Sequence, residues 1–371
     1  WPGLLYSGGL MGLQKQVLLS GVTAFFSTTR AVGAAFILWQ LSPTIQAFFI
    51  WQVAISFMQT VVFGILLWKQ LGDLKERPKF RKDILLGIWH FAAGMSGISL
   101  MSLIAMQLDK LILSKVLSLE YFGYYTLAST AAASVYVIGG PLFSALFPMF
   151  SQLVELKKFS ELKQLYHRGS QLLTVILFPI MAMATFFSFD ILMAWTNDHT
   201  ISSNAGLILP ILIVGNTMNG LMNMPYAVQL AYGWVKIPVY TNLAGLLFLI
   251  PAVLFGTSFY GGVGAASAWV LFNVLYFCIT VWLMEKLVFK EGVSTWLVTD
   301  VGIPLVVVLA TVGLIKYGLL YLGFAPGGVI WMTCILLLAC ISGLLSAPYM
   351  RLEVKRALNS TFRSPRSGNA D

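Results

Sequence analysis

Apolar stretches recur along the whole chain, separated by short polar segments. At roughly 20 residues per bilayer crossing, ten of them are long enough to span: Val17–Gln40, Thr44–Trp68, Ile84–Leu113, Tyr121–Pro148, Leu165–Phe189, Asn204–Ala231, Ile237–Gly256, Gly262–Met284, Trp296–Tyr321 and Val329–Pro348. The pattern predicts an all-α polytopic membrane protein. Ile84–Leu113 exceeds one crossing, so its first turns, around Trp89 and His90, are expected to lie along the membrane surface.

The stretch Ala105 to Ser151 reads as the outer end of one membrane helix, a tight hairpin and a second membrane helix. It holds Asp109 and Lys110 in an otherwise apolar run, then Gly123-Tyr124-Tyr125, a run of small residues, Pro141 and Pro148. Charge in hydrocarbon is costly and usually functional. Proline inside a spanning helix is tolerated where neighbours or a cavity satisfy the freed backbone groups. Both features in one hairpin predict helices lining a polar cavity.

Composition narrows the class. Of 371 residues, 58% are hydrophobic and 10% charged, against about 25% charged in soluble domains. No compact soluble core hides that much apolar surface. Nineteen of the 23 Lys and Arg fall in alternate connections: those with Lys15, Lys69 to Lys82, Lys157 to Arg168, Lys236, Lys286 and Lys290, and the tail from Arg351. The intervening loops near Ser42-Pro43, Asn197–Ser203, Ser258–Gly261 and Gly323–Gly328 carry none. The positive-inside rule then puts both ends of the chain in the cytoplasm. Basic residues spread over inner loops, without an aromatic-interleaved patch, exclude nucleic acid as a partner. Cys278, Cys334 and Cys340 all sit in apolar runs and read as packed thiols.

Two windows resemble one another. Pro2 to Trp68 and Pro225 to Leu287 each contain a proline, then GLQKQVLLSGV or GWVKIPVYTNL, then two helices joined by a short neutral loop. Gly12 aligns with Gly233 and Lys15 with Lys236. The implied organisation is the last two helices of an N-terminal lobe over 1–68 and a complete six-helix lobe over 84–287. Two additional transmembrane helices over 296–348 and a basic cytoplasmic tail over 349–371, expected to be disordered, follow. The first bundle is thus incomplete, and four further helices are expected upstream of a chain that does not begin with Met.

Polar groups at membrane depth are the candidate site. Arg30, in STTRAVGAAF, costs at least roughly 2.5–3.5 kcal/mol if isolated there. It reads as a fixed cation facing a wet, positively charged passage, its guanidinium fork suited to phosphate, or as the partner of a buried carboxylate, or as a side chain snorkelling to an interface. Asp109 and Lys110 project about 100° apart on a helix, so they are not expected to share a face. Asp109 is assigned to the cavity as a proton or sodium coupling site, with a structural cap or ion pair as the alternative, and Lys110 to the outer interface. Asn216, Asn219 and Asn223, at i, i+3, i+7, share one face of the sixth helix. That stripe suits sugar hydroxyls or interhelical bonds worth about 0.6 kcal/mol each. Gln52 and Gln59 carry the same two readings. His90, His167 and His199 are scattered, with His167 and His199 in loops on opposite sides. No metal site, catalytic group or cofactor is expected, and no P-loop occurs.

Several segments resemble the Wzx-type polysaccharide flippases, within the multidrug/oligosaccharidyl-lipid/polysaccharide exporter superfamily. QLDKLILSKVLSLEYFGYYTLAS is similar to their seventh-to-eighth helix hairpin. WPGLLYSGGLMGLQKQ and SPTIQAFFIWQ are similar to segments around the fourth to sixth helices. FSALFPMFSQL resembles the segment closing the eighth helix, and MPYAVQLAYGWVKIPVYTN the tenth-to-eleventh helix connection. The resemblance implies two six-helix bundles around a cationic central cavity, alternating between inward- and outward-open states. It implies transport of an undecaprenyl-diphosphate-linked oligosaccharide across the bacterial inner membrane, for O-antigen, capsule or exopolysaccharide synthesis, with no bond made or broken. Partners would be the bilayer, H+ or Na+, and a polysaccharide polymerase complex. Arg30 carries over by position only, and Asp109 as the aspartate of the seventh-helix motif. The rival readings are a drug/cation antiporter of the same superfamily, which Arg30 opposes, and a membrane-embedded polymerase or ligase, which the short, nearly uncharged outer loops oppose.

Overall fold

The computed structural model describes residues 2–41, 44–72, 82–284, 286, 288, 295–323 and 328–362. These residues are almost entirely helical: α1 Pro2–Gly12, α2 Gln16–Phe36, α3 Ile45–Leu71, α4 Lys82–Val116, α5 Leu119–Ala132, α6 Tyr136–Glu155, α7 Phe159–Phe186 and α8 Ser188–Thr196. There follow α9 His199–Leu221, α10 Asn223–Ala231, α11 Lys236–Met284, α12 Ile303–Tyr321, α13 Val329–Ser346 and α14 Pro348–Phe362. Among the described residues, nine helical stretches are long and apolar enough to cross a membrane. One of them counts twice. In α11 the backbone turns at Gly261 (φ 57°, ψ −136°), and a Cβ placed on Gly256 would lie 2.6 Å from the carbonyl oxygen of Gly264. Residues eight apart in a straight helix stand about 12 Å apart. α11 is therefore a hairpin of two crossings, and with it counted twice the nine stretches correspond to the ten expected spans, several of which are built from two consecutive helices.

Three expectations are corrected. Cys278 and Cys334, expected to be packed, are exposed. His167 lies inside α7 and not in a loop, because the helix starts at Phe159, six residues before the apolar run. The tail expected to be disordered is helical over Pro348–Phe362. Ser42, Pro43, residues 73–81, and Arg363 and Arg366 of the tail lie outside the described residues.

The chain divides into two compact units, Trp1–Gly87 and Ile88–Asp371. In the first, α1 and α2 each pack on α3. Glycines allow the close approach: Gly9 meets Leu67, Gly64 meets Tyr6, and Gly33 leaves the space that the Trp51 ring occupies. Small residues at helix contacts are the usual device where lipid supplies no hydrophobic drive. In the second unit, α7 and α9 are buried over most of their length, and their buried polar residues, among them Gln171, Thr174, Asn216 and Thr217, are thereby kept from lipid. α5 and α11 pack on α9, and α12 and α13 pack on α7. Gly343 of α13 sits against Val308 and the Val175 backbone, so the last two membrane helices are integral to this unit. Lys316 of α12 donates to the carbonyl of Phe186, the last residue of α7, and lies 5.1 Å from the Phe187 ring centre. A cation at a helix C-terminus satisfies an orphan carbonyl and the dipole together.

One turn recurs three times. Lys15 N–H bonds to Leu10 O (3.0 Å) and Gln14 N–H to Met11 O (2.9 Å). Lys158 bonds to Leu153 (2.9 Å) and Lys157 to Val154 (3.0 Å); Trp234 bonds to Gln229 (2.9 Å) and Gly233 to Leu230 (2.9 Å). Each is a Schellman motif with a left-handed residue at its centre: Gln14 (φ 57°), Lys157 (φ 56°) and Gly233 (φ 72°). By geometry Gln14 is the counterpart of Gly233, two residues from the Gly12 that the sequence pairs with it. The sequence alignment matched glycines, whereas the turn at Gln14 uses a residue with a Cβ.

Candidate functional site

A polar cavity of about 250 Å³ opens within the second unit. Ser99 and Ser102 of α4, Asn219 of α9, Asn223 and Tyr226 of α10, and Asn242 of α11 supply its polar wall. A smaller cavity of about 130 Å³ adjoins it, sharing Ala105, Met106 and Trp269, and is lined by Asp109, Lys110, Tyr136 and Asn216. Ser99, Ser102, Met106 and Asp109, at i, i+3, i+7 and i+10, lie on one face of α4, so one helix face serves both cavities.

Asp109 is held from two sides. Tyr125, without exposed surface, donates its hydroxyl to Asp109 Oδ2 (2.5 Å), and the Lys110 backbone N–H donates to Oδ1 (2.7 Å). The tight α4–α5 turn makes this possible: Ser118 caps α5 through the Tyr121 N–H (3.4 Å), turning Tyr125 back toward α4. Lys110 lines the same cavity as Asp109, contrary to the expectation that they part. A separation of 100° still lets two neighbouring side chains reach one wide opening. Their charges offset, so the lining of these cavities carries no net positive charge among the described residues.

The asparagine stripe divides. α9 ends at Leu221 and α10 begins at Asn223, so the three do not share one uninterrupted helix. Asn216 is bonded through both amide atoms: Oδ1 accepts from the Tyr136 hydroxyl (3.0 Å) and Trp269 Nε1 (2.8 Å), and Nδ2 donates to Ala132 O (2.9 Å). That carbonyl is available because the 3-10 turn Ala133–Val135 redirects the Tyr136 N–H to Ala133 O. Asn216 therefore ties α9 to three other helices, α5, α6 and α11. Asn219 donates to Asn273 Oδ1 (2.9 Å) and Asn223 to Gly220 O (2.8 Å), and both still face the larger cavity.

Arg30 and the two glutamines belong to the first unit. Arg30 Nη2 donates to Gln59 Oε1 (2.7 Å), and Trp51 Nε1 donates to the Arg30 carbonyl (3.2 Å). Arg30 Nε is buried without a hydrogen-bond partner among the described residues, and no described carboxylate pairs with this guanidinium. Gln52 is half-buried on the same helix as Gln59 and makes no hydrogen bond among the described residues. Sequence reasoning missed Tyr125, Asn242 and Trp269. For Ser99 and Ser102 a signal existed, since their spacing from Asp109 already marks one face of a helix. It also missed a buried pair, His167 and Asp300, whose partners are 133 residues apart.

Residues 13–197 match the family described as polysaccharide biosynthesis protein. A putative O-antigen transporter of Shigella flexneri is 23% identical over 200 residues, which is 54% of this chain and 47% of that protein. The chain thus aligns with about half the length of that curated relative.

Proposed function

We propose, from the premise that the chain belongs to the Wzx-type polysaccharide flippase family and is a multi-pass membrane protein, that it carries an undecaprenyl-diphosphate-linked oligosaccharide across a bacterial inner membrane, driven by an H+ or Na+ gradient. Both described ends of the chain face the cytoplasm in this reading, as the basic loops require. The single observation that carries it is the open cavity among apolar helices, lined by Asn219, Asn223 and Asn242, with Asp109 in the adjoining recess.

The task is to pass sugars and a diphosphate through hydrocarbon while the lipid tail stays in the membrane. Amide and hydroxyl groups replace the water lost by sugar hydroxyls; an unreplaced hydrogen bond costs about 1–3 kcal/mol. Arg30, whose Nε has no hydrogen-bond partner and which no carboxylate pairs among the described residues, suits the phosphate oxygens through bidentate donation. Asp109 takes the coupling cation, and Tyr125 fixes its carboxylate toward the recess. A polymerase complex would act on the delivered glycan.

The test is translocation of a fluorescent lipid-linked oligosaccharide in vesicles carrying the protein. Accelerated loss of quenching by an external reagent, dependent on an imposed ion gradient, is the expected result. Movement no faster than in protein-free vesicles would overturn the proposal.

A further inference from the structure

The amides of the larger cavity are oriented by bonds inside the protein. Asn273, without exposed surface, donates Nδ2 to the Trp269 carbonyl (2.8 Å), which leaves its Oδ1 to accept from Asn219 Nδ2 (2.9 Å). Asn223 Nδ2 donates to Gly220 O (2.8 Å) and Asn242 Nδ2 to Pro238 O (2.8 Å). A carbonyl only accepts, so in all three asparagines the nitrogen is the end held. Each Oδ1 has no hydrogen-bond partner among the described residues, and none of the three is sealed from solvent. Aromatic rings complete the lining. Trp269, Phe272 and Tyr276 recur at i, i+3, i+7 on the second arm of α11. Phe272 and Tyr276 stack at 10°, with ring centres 6.2 Å apart, and the Trp269 N–H is already bound to Asn216. Among the described residues, no charged side chain lines this cavity.

We propose that this cavity selects uncharged sugars of the glycan, hexoses or their N-acetylated amino forms, and refuses sugars that bear a carboxylate. A sugar hydroxyl both donates and accepts. Each asparagine offers it one open oxygen and the second N–H of its amide. The C–H face of a sugar ring packs on aromatic carbon, as other apolar surface does. A carboxylate has only acceptors, and its charge taken from water needs a cation. The charged pair of the adjoining recess, Asp109 and Lys110, offsets itself. A bare metal ion would leave most of a cavity of about 250 Å³ empty. The inference rests on the transport reading only in expecting a glycan to reach this cavity.

Saturation-transfer NMR on the full chain in nanodiscs tests it, with methyl disaccharides of glucose, galactose, mannose and N-acetylglucosamine as probes. Each is measured beside the counterpart whose terminal CH2OH is a carboxylate. At least one neutral probe should bind, and its acidic counterpart about tenfold or more weakly, because an unmatched charge costs more than a missing neutral bond. Asn242→Lys should narrow that ratio by supplying a cation, and the wild-type comparison decides alone if this variant does not fold. Equal affinity within every pair, a preference for the acids, or no binding above empty nanodiscs overturns the proposal. Translocation of a lipid-linked glycan without the preference leaves the transport reading standing and sinks this one. The preference without translocation does the reverse.

Discussion

The Tyr125 hydroxyl reaches Asp109 from the neighbouring helix at 2.5 Å, fixing one oxygen of a carboxylate that lines the recess. Asp109→Asn should therefore weaken the dependence of transport on the ion gradient, with Tyr125→Phe altering ion dependence less. The measurement is glycan export with and without an ionophore. Export by the Asn variant that still tracks the gradient fully would move the coupling site elsewhere.

Arg30 and Gln59 form a second linked pair, in the first unit. Arg30→Ala should lower glycan export at unchanged protein level. Gln59→Leu should lower it less, since it leaves the charge. Lys at position 30 should restore only part, because an ammonium lacks the planar fork. Normal export by the Ala variant would remove Arg30 from the site.

Asn216 predicts a stability effect in place of a transport effect. Asn216→Leu strands the Trp269 indole N–H and the Ala132 carbonyl in a buried setting, a loss of about 2–3 kcal/mol. The thermal unfolding midpoint should fall, whereas Asn219→Ala should change it little and transport more.

The recurrent turns give a prediction of opposite sign. Gln14→Gly and Lys157→Gly should each raise stability by about 0.5–1 kcal/mol, since a side chain in the left-handed region costs about 1–2 kcal/mol and glycine returns part of that through backbone entropy. Gly233→Ala should lower stability by a similar amount. Thermal unfolding of the three variants checks the pattern.

The membrane helices were legible because bilayer thickness fixes their length and hydropathy their composition. The paired loop charges and the shared turn at Lys15 and Trp234 were legible in outline, though their register was not, since Gln14 meets a backbone geometry that the sequence suggests only where glycine occurs. Asp109 stood out as a charge among apolar neighbours. Its partner Tyr125 did not, because an aromatic beside a membrane interface is common and the bond depends on how two helices turn. Arg30 and Gln59 were both singled out, but their mutual contact needs the crossing of α2 on α3. His167 and Asp300 escaped for the same reason: each looks ordinary alone, and only tertiary packing joins them.

The fold-back at Gly261 bears on how the protein is made. A ribosome delivering the 49 residues of Lys236–Met284 to the insertion machinery presents more apolar length than one passage through the bilayer can absorb. The tip around Ser258 and Gly261 has no charged residue to anchor it. Its two arms are therefore expected to enter lipid together, as a preassembled pair, and the backbone contact of Gly256 with Gly264 is the seam that forms at that moment. A bulky residue at either glycine would then act during biogenesis, reducing the amount of protein inserted before any question of activity arises.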